Sequence, residues 1–231
     1  MGSGGVSVGA PELTALWYPS GNCGPRRDGA VPSLVVIHYT AMPSAEGARD
    51  WLCDPRSQVS AHYVICPAGR LWQLVDEAER AWHAGAGQWG SLTDVNSHSI
   101  GIELANTGLQ PFAEPQMAAL EDLLSSIRKR WKIPPEGVIG HSDMALGRKI
   151  DPGPRFDWRR LARQGLSVWP QPRRGGSFYD DAQRFGYAIP AEGKSHLLQA
   201  FRHRFRPGAS GPLDEIDTAL MADLATRWPR D

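Results

Sequence analysis

Three residues that lie far apart in the chain have the side chains that hold a catalytic metal ion in many enzymes. His38 lies near the end of the apolar run SLVVIHYT (residues 33–40), and His141 and Asp151 lie within GHSDMALGRKIDPGPRFDW (residues 140–158). Two neutral imidazoles and one carboxylate form a recognised zinc-binding set, and three protein ligands leave the fourth position for water. The alternative is that each histidine is a hydrogen-bonded structural residue, as an isolated histidine often is.

Glu103 and Lys149 add groups that could carry out chemistry at such a metal ion. Glu103 lies in the apolar run SIGIEL (residues 99–104), where a carboxylate is costly unless it is paired or works in a cleft. Lys149 precedes Asp151 by two residues, so in an extended segment both side chains point to the same side. A lysine beside a metal ion could stabilise an oxyanion. The alternatives are a salt bridge of Glu103 with Arg148 or Lys149, and a Lys149 that is simply exposed.

Short apolar strands are predicted to position these groups. Residues 33–40 form a nearly continuous β-branched run, which is typical of a strand buried on both faces. Residues 59–66 and 70–75 are joined by Pro-Ala-Gly and predict a hairpin, and residues 99–104 predict another strand of the same sheet. The Gly and Pro residues of 140–158 exclude a long helix or a central strand, so we expect its polar side chains on a fixed loop.

Two helices are predicted to pack on this sheet, over residues 44–53 and 115–131. In the second, apolar residues recur on one face, while Pro115 suits the first turn. These residues are Met117, Leu120, Leu124, Ile127 and Trp131. A mixed central sheet with packed helices indicates an α/β domain over residues 19–170, which follows an N-terminal extension (residues 1–18).

The chain changes character after residue 170. Residues 171–177 belong to a Pro/Gly/Arg-rich connector, and residues 178–231 predict three short amphipathic helices. Such a unit is near the lower size limit for independent folding, so it could lean on the larger domain.

Composition indicates an ordinary globular chain and excludes some partners. Lys+Arg and Asp+Glu number 25 each, so no overall field attracts nucleic acid, and no nucleic-acid partner is expected. No apolar run approaches the ~20 residues of a membrane span, and no signal-peptide pattern is present at the start. The three cysteines have no CxxC spacing and are expected to be reduced and mostly buried.

Six motifs together resemble one known family. They are LVVIHYT, VSAHYVI, AWHAG, SIGIEL, GHSDMALGRKIDPGP and FDW. In this order they resemble the zinc-dependent N-acetylmuramoyl-L-alanine amidases of the type-2 amidase family, which are related to T7 lysozyme and to peptidoglycan recognition proteins. The resemblance spans residues 19–170 and is greatest with the AmpD/AmiD branch. Residues 178–230 look similar to the peptidoglycan-binding-like helical domain that AmiD-type members carry.

The resemblance implies a role for each candidate residue. His38, His141 and Asp151 would be the zinc ligands. Glu103 would be the catalytic carboxylate, and Lys149 would assist it in catalysis. The implied reaction is hydrolysis of the amide bond between N-acetylmuramic acid, or its 1,6-anhydro form, and L-alanine in peptidoglycan or muropeptides.

Three further residues are expected in the substrate groove of such a fold: Trp82, His83 and Asn106. Trp82 would offer a face for stacking on a sugar ring, although a tryptophan there could equally belong to the core. His62, in contrast, is interpreted as structural.

Two other functions and two compartments remain open on these residues. A relative could bind muropeptides without cutting them, or a zinc amidase could act on a different amide. As given, the chain is expected in the cytoplasm, where its three cysteines would stay reduced and recycled anhydro-muropeptides would be its substrate. If a leader had been removed, a periplasmic or outer-membrane-anchored enzyme could act on the intact cell wall.

Overall fold

The computed structural model describes residues 14–230, and in this range six strands form one mixed sheet with helices on both faces. In chain order the strands are β1 (Leu16–Trp17), β2 (Cys23–Pro25), β3 (Leu34–Tyr39), β4 (Tyr63–Ile65), β5 (Leu71–Gln73), β6 (Glu79–Ala81), β7 (Ser99–Leu104) and β8 (Val138–Gly140). The order in the main sheet is β1-β5-β4-β7-β3-β8, while β2 and β6 pair as a separate antiparallel ribbon.

Helices connect and cover these strands. In chain order they are α1 (Ala45–Cys53), α2 (Val95–His98), α3 (Glu114–Trp131), α4 (His141–Met144), α5 (Trp158–Arg163), α6 (Phe178–Phe185), α7 (Lys194–Phe205) and α8 (Glu215–Arg227). Among the helices of residues 14–230, none combines the length and the hydrophobicity that a membrane crossing requires.

Strand β3 lies between two parallel neighbours, β7 and β8, so the carboxyl ends of all three strands meet at one end of the sheet. The register places His38 opposite Glu103, and Ile37 opposite Gly140, which directly precedes His141. In open α/β sheets, ligand sites form outside the carboxyl ends of the strands. The topology therefore brings three distant chain segments together at the place where a site is expected.

The sheet has an apolar core on each face because side chains alternate along its strands. Val35 and Ile37 belong to a buried cluster with α3, and Leu34 and Val36 belong to a second cluster with the C-terminal helices. The α3 residues of the first cluster are Met117, Ala119, Leu120, Leu123, Leu124 and Ile127. Burying each large aliphatic side chain contributes about 1.5–3 kcal/mol, so both faces stabilise the sheet.

Helices α6, α7 and α8 cover the second face and share its core. Phe185, Phe201 and Leu224 lie in the same buried cluster as Val36 of β3 and Ile139 of β8. The three predicted helices are present, and they pack against the sheet. The division into a catalytic and a helical domain, with a connector at residues 171–177, stays a prediction.

The predicted α/β fold is confirmed, and its main elements lie where the sequence indicates. Residues 33–40 and 99–104 contain β3 and β7, and the predicted hairpin is present as the antiparallel pair β4 and β5. The predicted helices are α1 and α3; Ser44 begins α1 by accepting a hydrogen bond from the Gly47 amide.

The structure differs from the predicted loop in residues 140–158 and from the predicted N-terminal extension. His141 begins the one-turn helix α4 directly after β8, and α5 begins at Trp158. Strand β8 has only three residues, too few for periodicity to reveal. In the extension, β1 pairs with β5 at the edge of the sheet; residues before 14 lie outside the described part of the chain.

Candidate metal centre

Three ligand atoms converge at the carboxyl end of the sheet. His38 comes from β3, His141 from the first position of α4, and Asp151 from the turn that follows, and all three residues are buried. The two Nδ1 atoms are 2.9 Å apart, and Asp151 Oδ2 lies 3.0 Å from His38 Nδ1 and 3.1 Å from His141 Nδ1. The three side chains could together hold a metal ion.

A chain of hydrogen bonds determines which nitrogen of His38 carries its proton. The Val95 carbonyl can only accept, so the Ser99 hydroxyl, 2.5 Å away, donates to it. The Ser99 oxygen then accepts from His83 Nε2 at 3.2 Å, and His83 Nδ1 accepts from His38 Nε2 at 3.1 Å. A neutral imidazole has one N–H, so His38 Nδ1 presents a lone pair to the site.

The same argument applies to His141. Its Nε2 lies 2.9 Å from the carbonyl oxygen of Ala84, which again can only accept, so Nε2 carries the proton. His141 Nδ1 therefore also presents a lone pair. Two lone pairs and a carboxylate oxygen then face one another at about 3 Å with no proton between them, and a cation at their centre would turn this repulsion into coordination.

Electrostatics keep both ligand types in the metal-binding protonation state. Burial and the neighbouring His141 lower the pKa of His38 to about 4, so this imidazole is neutral near pH 7. Burial opposes ionisation of Asp151, but hydrogen bonds with His141 and His38, and any positive charge on them, outweigh burial and hold the pKa of its carboxyl below the usual range; a cation bound in the same place would act in the same direction. The site therefore combines a neutral His38 with an ionised carboxylate, the protonation states that metal binding requires.

Glu103 places a second carboxyl in the same cavity, on β7 beside His38. Its Oε2 atom is shielded from solvent and has no hydrogen-bond partner among residues 14–230. Burial, with a smaller contribution from the charge of Asp151, raises the pKa of this carboxyl to about 8. The salt bridge considered as an alternative is not found within that range, since the Arg148 guanidinium donates to the carbonyls of Ala84 and Ala86 instead. A carboxyl that titrates near neutrality is suited to moving a proton.

An open cavity of about 570 Å³ lies over these groups and admits a sizeable ligand. Lys149 lies at its exposed rim and is near enough for its charge to favour the ionised form of Glu103. Trp82, Trp51 and Tyr39 supply aromatic walls. The arrangement combines a metal site, a proton carrier and a cation in one cleft.

Residues 28–154, more than half of the chain, match the sequence profile of the Amidase_2 family, described as N-acetylmuramoyl-L-alanine amidase. This chain belongs to the N-acetylmuramoyl-L-alanine amidase family. The matched residues include His38, Glu103, His141, Lys149 and Asp151.

Individual amidases of known name agree with this assignment and extend it beyond residue 154. AmiD of Escherichia coli (strain K12) is 36% identical, with 86% of this chain and 84% of AmiD covered. The 1,6-anhydro-N-acetylmuramyl-L-alanine amidase AmpD of the same strain is 33% identical over 68% of this chain and 92% of AmpD. The solved structure of E. coli AmiD with the substrate anhydro-N-acetylmuramic acid-L-Ala-D-γ-Glu-L-Lys has a TM-score of 0.80, at 34% identity, covering 88% and 93% of the two chains. The family resemblance is confirmed.

The residues predicted for the substrate groove of this amidase lie in three different places. Trp82 is half-buried and lines the cavity. His83 touches the cavity, but both its ring nitrogens are engaged by His38 and Ser99, so its contacts support a positioning role. Gly101 leaves room for this ring, because a Cβ there would lie 2.4 Å from His83 Cγ.

Asn106 is not among the residues that line this cavity, and its contact with substrate stays a prediction. Its side-chain amide donates to the carbonyls of Gln110 and Pro111, and its Oδ1 accepts from the Gly108 amide at 2.7 Å. The physical reason is that the turn after β7 leaves backbone groups unpaired, and the Asn106 side chain satisfies them. His62 accepts from the Gly101 amide and is structural, as expected.

Several residues of the site escape sequence reasoning. Trp51 gives a partial signal as a large aromatic in the predicted helix of residues 44–53, but its exposure at the cavity appears only in the structure. Tyr39 directly follows His38, but nothing in the strand pattern separates it from a core residue. Ser99 gives no signal at all, since its role depends on contacts with His83 and Val95.

Removing the Ser99 hydroxyl should weaken metal binding, because His83 would lose the acceptor that orients its ring. We expect Ser99→Ala to raise the dissociation constant for Co²⁺ about tenfold, the lower end of the effect of groups that orient a metal ligand. Ser97→Ala is the matched control, since Ser97 is also buried but bonds Asp94 instead of a histidine. Titration of the metal-free proteins with Co²⁺ measures both variants, and equal affinities would contradict the role assigned to Ser99.

Proposed function

We propose that this protein is a zinc-dependent amidase that hydrolyses the bond between N-acetylmuramic acid, or its 1,6-anhydro form, and L-alanine in muropeptides. The observation that carries the proposal is the convergence of three ligand atoms, from His38, His141 and Asp151, beside the shielded carboxyl of Glu103. Membership of the amidase family supports the reaction type.

Zinc is the metal that we propose, on the donor set and on the spacing of the ligand atoms. In a tetrahedral site with bonds of about 2.0–2.2 Å to nitrogen and oxygen, ligand atoms lie roughly 3.3 Å apart. Here the separations are 2.9, 3.0 and 3.1 Å, so small outward shifts of the side chains would admit the ion. Three protein ligands also leave the free position that catalytic zinc sites keep.

The metal centre, Glu103 and Lys149 would each contribute a different part of the hydrolysis reaction. A bound zinc ion would supply Lewis-acid activation of the attacking water and of the amide carbonyl. The positive charge of that ion would favour the ionised form of Glu103, which accepts a proton from the water while the water oxygen bonds to the carbonyl carbon. The same carboxyl then donates this proton to the amide nitrogen as the C–N bond breaks, so the peptide leaves with a free amino terminus. Lys149 provides positive charge where the carbonyl oxygen becomes negative.

The proposed substrate is a muropeptide with an anhydro-sugar, by analogy with two relatives. AmpD is named for the 1,6-anhydro form, and the AmiD structure contains an anhydro-muropeptide substrate. The cavity suits such a ligand, because Trp82 and Trp51 can stack on sugar rings while the metal centre receives the amide. We keep the cytoplasm as the proposed compartment because Cys23, Cys53 and Cys66 are free thiols.

Mass spectrometry of reaction products tests the function and the substrate form together. The protein is incubated with anhydromuramoyl-tripeptide and with intact sacculi, each with and without a zinc chelator. We expect chelator-sensitive release of peptides that begin at L-alanine from the small fragment. Cleavage of sacculi as well would favour the cell wall as substrate and an extracytoplasmic enzyme. Binding without cleavage of either substrate would overturn the proposal in favour of a recognition protein.

A further inference from the structure

Asp143 lies two residues after His141 on α4 but takes no part in the ligand set. Its Oδ1 accepts a hydrogen bond from the Tyr187 hydroxyl at 2.8 Å, and its Oδ2 accepts from Arg204 Nη1 at 2.8 Å. Oδ2 also accepts from the backbone amide of Gly140 at 2.8 Å. Asp143 therefore joins the turn that begins at Gly140 to two side chains from the C-terminal part of the chain.

The Arg204 side chain also contacts the residues on either side of this turn. Its Nη2 donates to the Val138 carbonyl in β8 at 2.9 Å, and its guanidinium lies 4.5 Å from the Trp158 ring centroid. The side chains of Asp143 and Arg204 are each only 1% exposed. Arg204 thus contacts both the strand that leads into His141 and the residue that follows it by two positions.

Helix α7 also approaches the loop that joins the ligand residues His141 and Asp151. Gly147 has a φ of +73°, and a Cβ there would lie 2.6 Å from Nδ1 of His196 on α7. The loop from His141 to Asp151 is therefore bonded at its start by Arg204 and closely approached near its middle by His196.

Stability alone is a poor explanation for the buried pair of Asp143 and Arg204. Removing two charges from water is expensive, and an apolar pair of similar size often stabilises a protein as well or better. The pair instead contributes orientation. Its hydrogen bonds fix the start of α4 at Gly140 and so orient the His141 ring, which follows directly. Outer groups that orient ligands in this way are known to tune metal affinity.

We propose that the C-terminal helices hold the metal site in shape, with Arg204 and Tyr187 acting through Asp143 as positioning residues for His141. This inference rests on the proposed function, because it assumes that the site binds zinc. It assigns the helices a task at the metal centre that does not depend on contact with peptidoglycan.

Two double variants of the full-length protein separate this role from ordinary stabilisation. Asp143→Asn/Arg204→Met removes both charges, so that neither is left buried and unpaired. The control, Arg202→Met/Asp217→Asn, removes a similar buried pair between α7 and α8, where Arg202 also donates to backbone carbonyls. Within residues 14–230, neither Arg202 nor Asp217 forms a hydrogen bond to a residue of α4.

The readouts are zinc affinity, measured by competition with a chelating dye, and the visible absorption spectrum of the Co²⁺-loaded protein. We expect the Asp143/Arg204 variant to bind zinc about tenfold more weakly and to show an altered Co²⁺ spectrum. We expect the control to lose stability with unchanged affinity and spectrum. Tyr187→Phe, which removes one hydroxyl, should weaken zinc binding in the same direction by a smaller factor.

Equal affinity losses in the two double variants, or unchanged affinity in a folded Asp143/Arg204 variant, would overturn the inference. If the Asp143/Arg204 variant fails to fold, Tyr187→Phe decides, and an unchanged zinc affinity in that variant would also refute it. Failure of the wild-type protein to bind zinc would instead overturn the proposed function, and the inference with it.

Discussion

Glu103→Gln should lower kcat for cleavage of an anhydromuramoyl-peptide by about 10³-fold, while zinc binds as it does to the wild type. Glutamine keeps the shape of the side chain but cannot accept a proton from water or pass it to the leaving nitrogen. Glu103 lines the cavity without ligating the metal centre, so its loss should leave the three ligands in place. The change therefore removes proton transfer while leaving the metal ligands in place.

Steady-state kinetics and zinc titration of the same preparations measure the two halves of this prediction. KM should change little, since the affected step follows substrate binding. Glu121→Gln is the control, because Glu121 is a carboxylate on α3 that pairs with Arg160 away from the cavity. A metal-replete Glu103→Gln enzyme with near wild-type turnover would remove Glu103 from the mechanism.

The same variant should change how the stability of the metal-free protein depends on pH. Folded Glu103 keeps its proton up to about pH 8, whereas in the unfolded chain the carboxyl ionises near pH 4.5. Between these values the folded state binds more protons, so its free energy of unfolding falls as pH rises. This contribution is present below pH 4.5 and is lost as pH rises through about 8; a difference of about 3.5 pKa units corresponds to on the order of 5 kcal/mol in total. Denaturant titrations at several pH values should show a flatter profile for Glu103→Gln.

Asp151→Ala should abolish both zinc binding and activity. Its Oδ2 is the one anionic ligand atom, and its loss would leave two neutral imidazoles to hold a divalent cation. Substitution of groups that only orient a ligand costs 10–100-fold in affinity, so removal of a ligand should cost more than about 100-fold. Dialysis against zinc followed by metal analysis, with the amidase assay on the same sample, tests both losses.

Asp157→Ala is the matched control for that substitution. Asp157 lies in the same segment but is exposed, and its carboxylate caps α5 by accepting from the Arg160 amide at 2.9 Å. The loss of a cap costs about 1 kcal/mol of stability and should leave zinc binding intact. Full activity in Asp151→Ala would show that the cluster is not the metal site.

The fold could be predicted from the sequence because its elements leave local patterns, whereas the ligand set rested on the family resemblance. His38 follows a β-branched run that only a buried strand explains, and β7 has the bounds of its apolar run, residues 99–104. The spacing of Met117, Leu120, Leu124 and Ile127 revealed α3 in the same way. Such patterns can be read from a single sequence because the apolar residues of each helix or strand recur with the period of that element.

The groups that orient the ligands could not be predicted, because their roles exist only across long distances in the chain. Asp143 and Arg204 are separated by 61 positions, and neither has a neighbour that suggests a partner. The family resemblance places Asn106 in the substrate groove, and only the structure shows that its side chain also bonds the backbone of its own turn. Residue type alone does not distinguish a side chain that meets substrate from one that supports the backbone.

The register of β3 against β7 and β8 also has a consequence for the order of events during folding. His38 and His141 are 103 positions apart and meet only when these parallel strands have paired. Parallel pairing between distant segments is a slow step in folding, so the ion cannot serve as the nucleus of this chain. An ion bound by His38, His141 and Asp151 would enter after the sheet is complete and would then stabilise the finished state by mass action. A copy of this chain that crossed a membrane unfolded would acquire its metal on the far side.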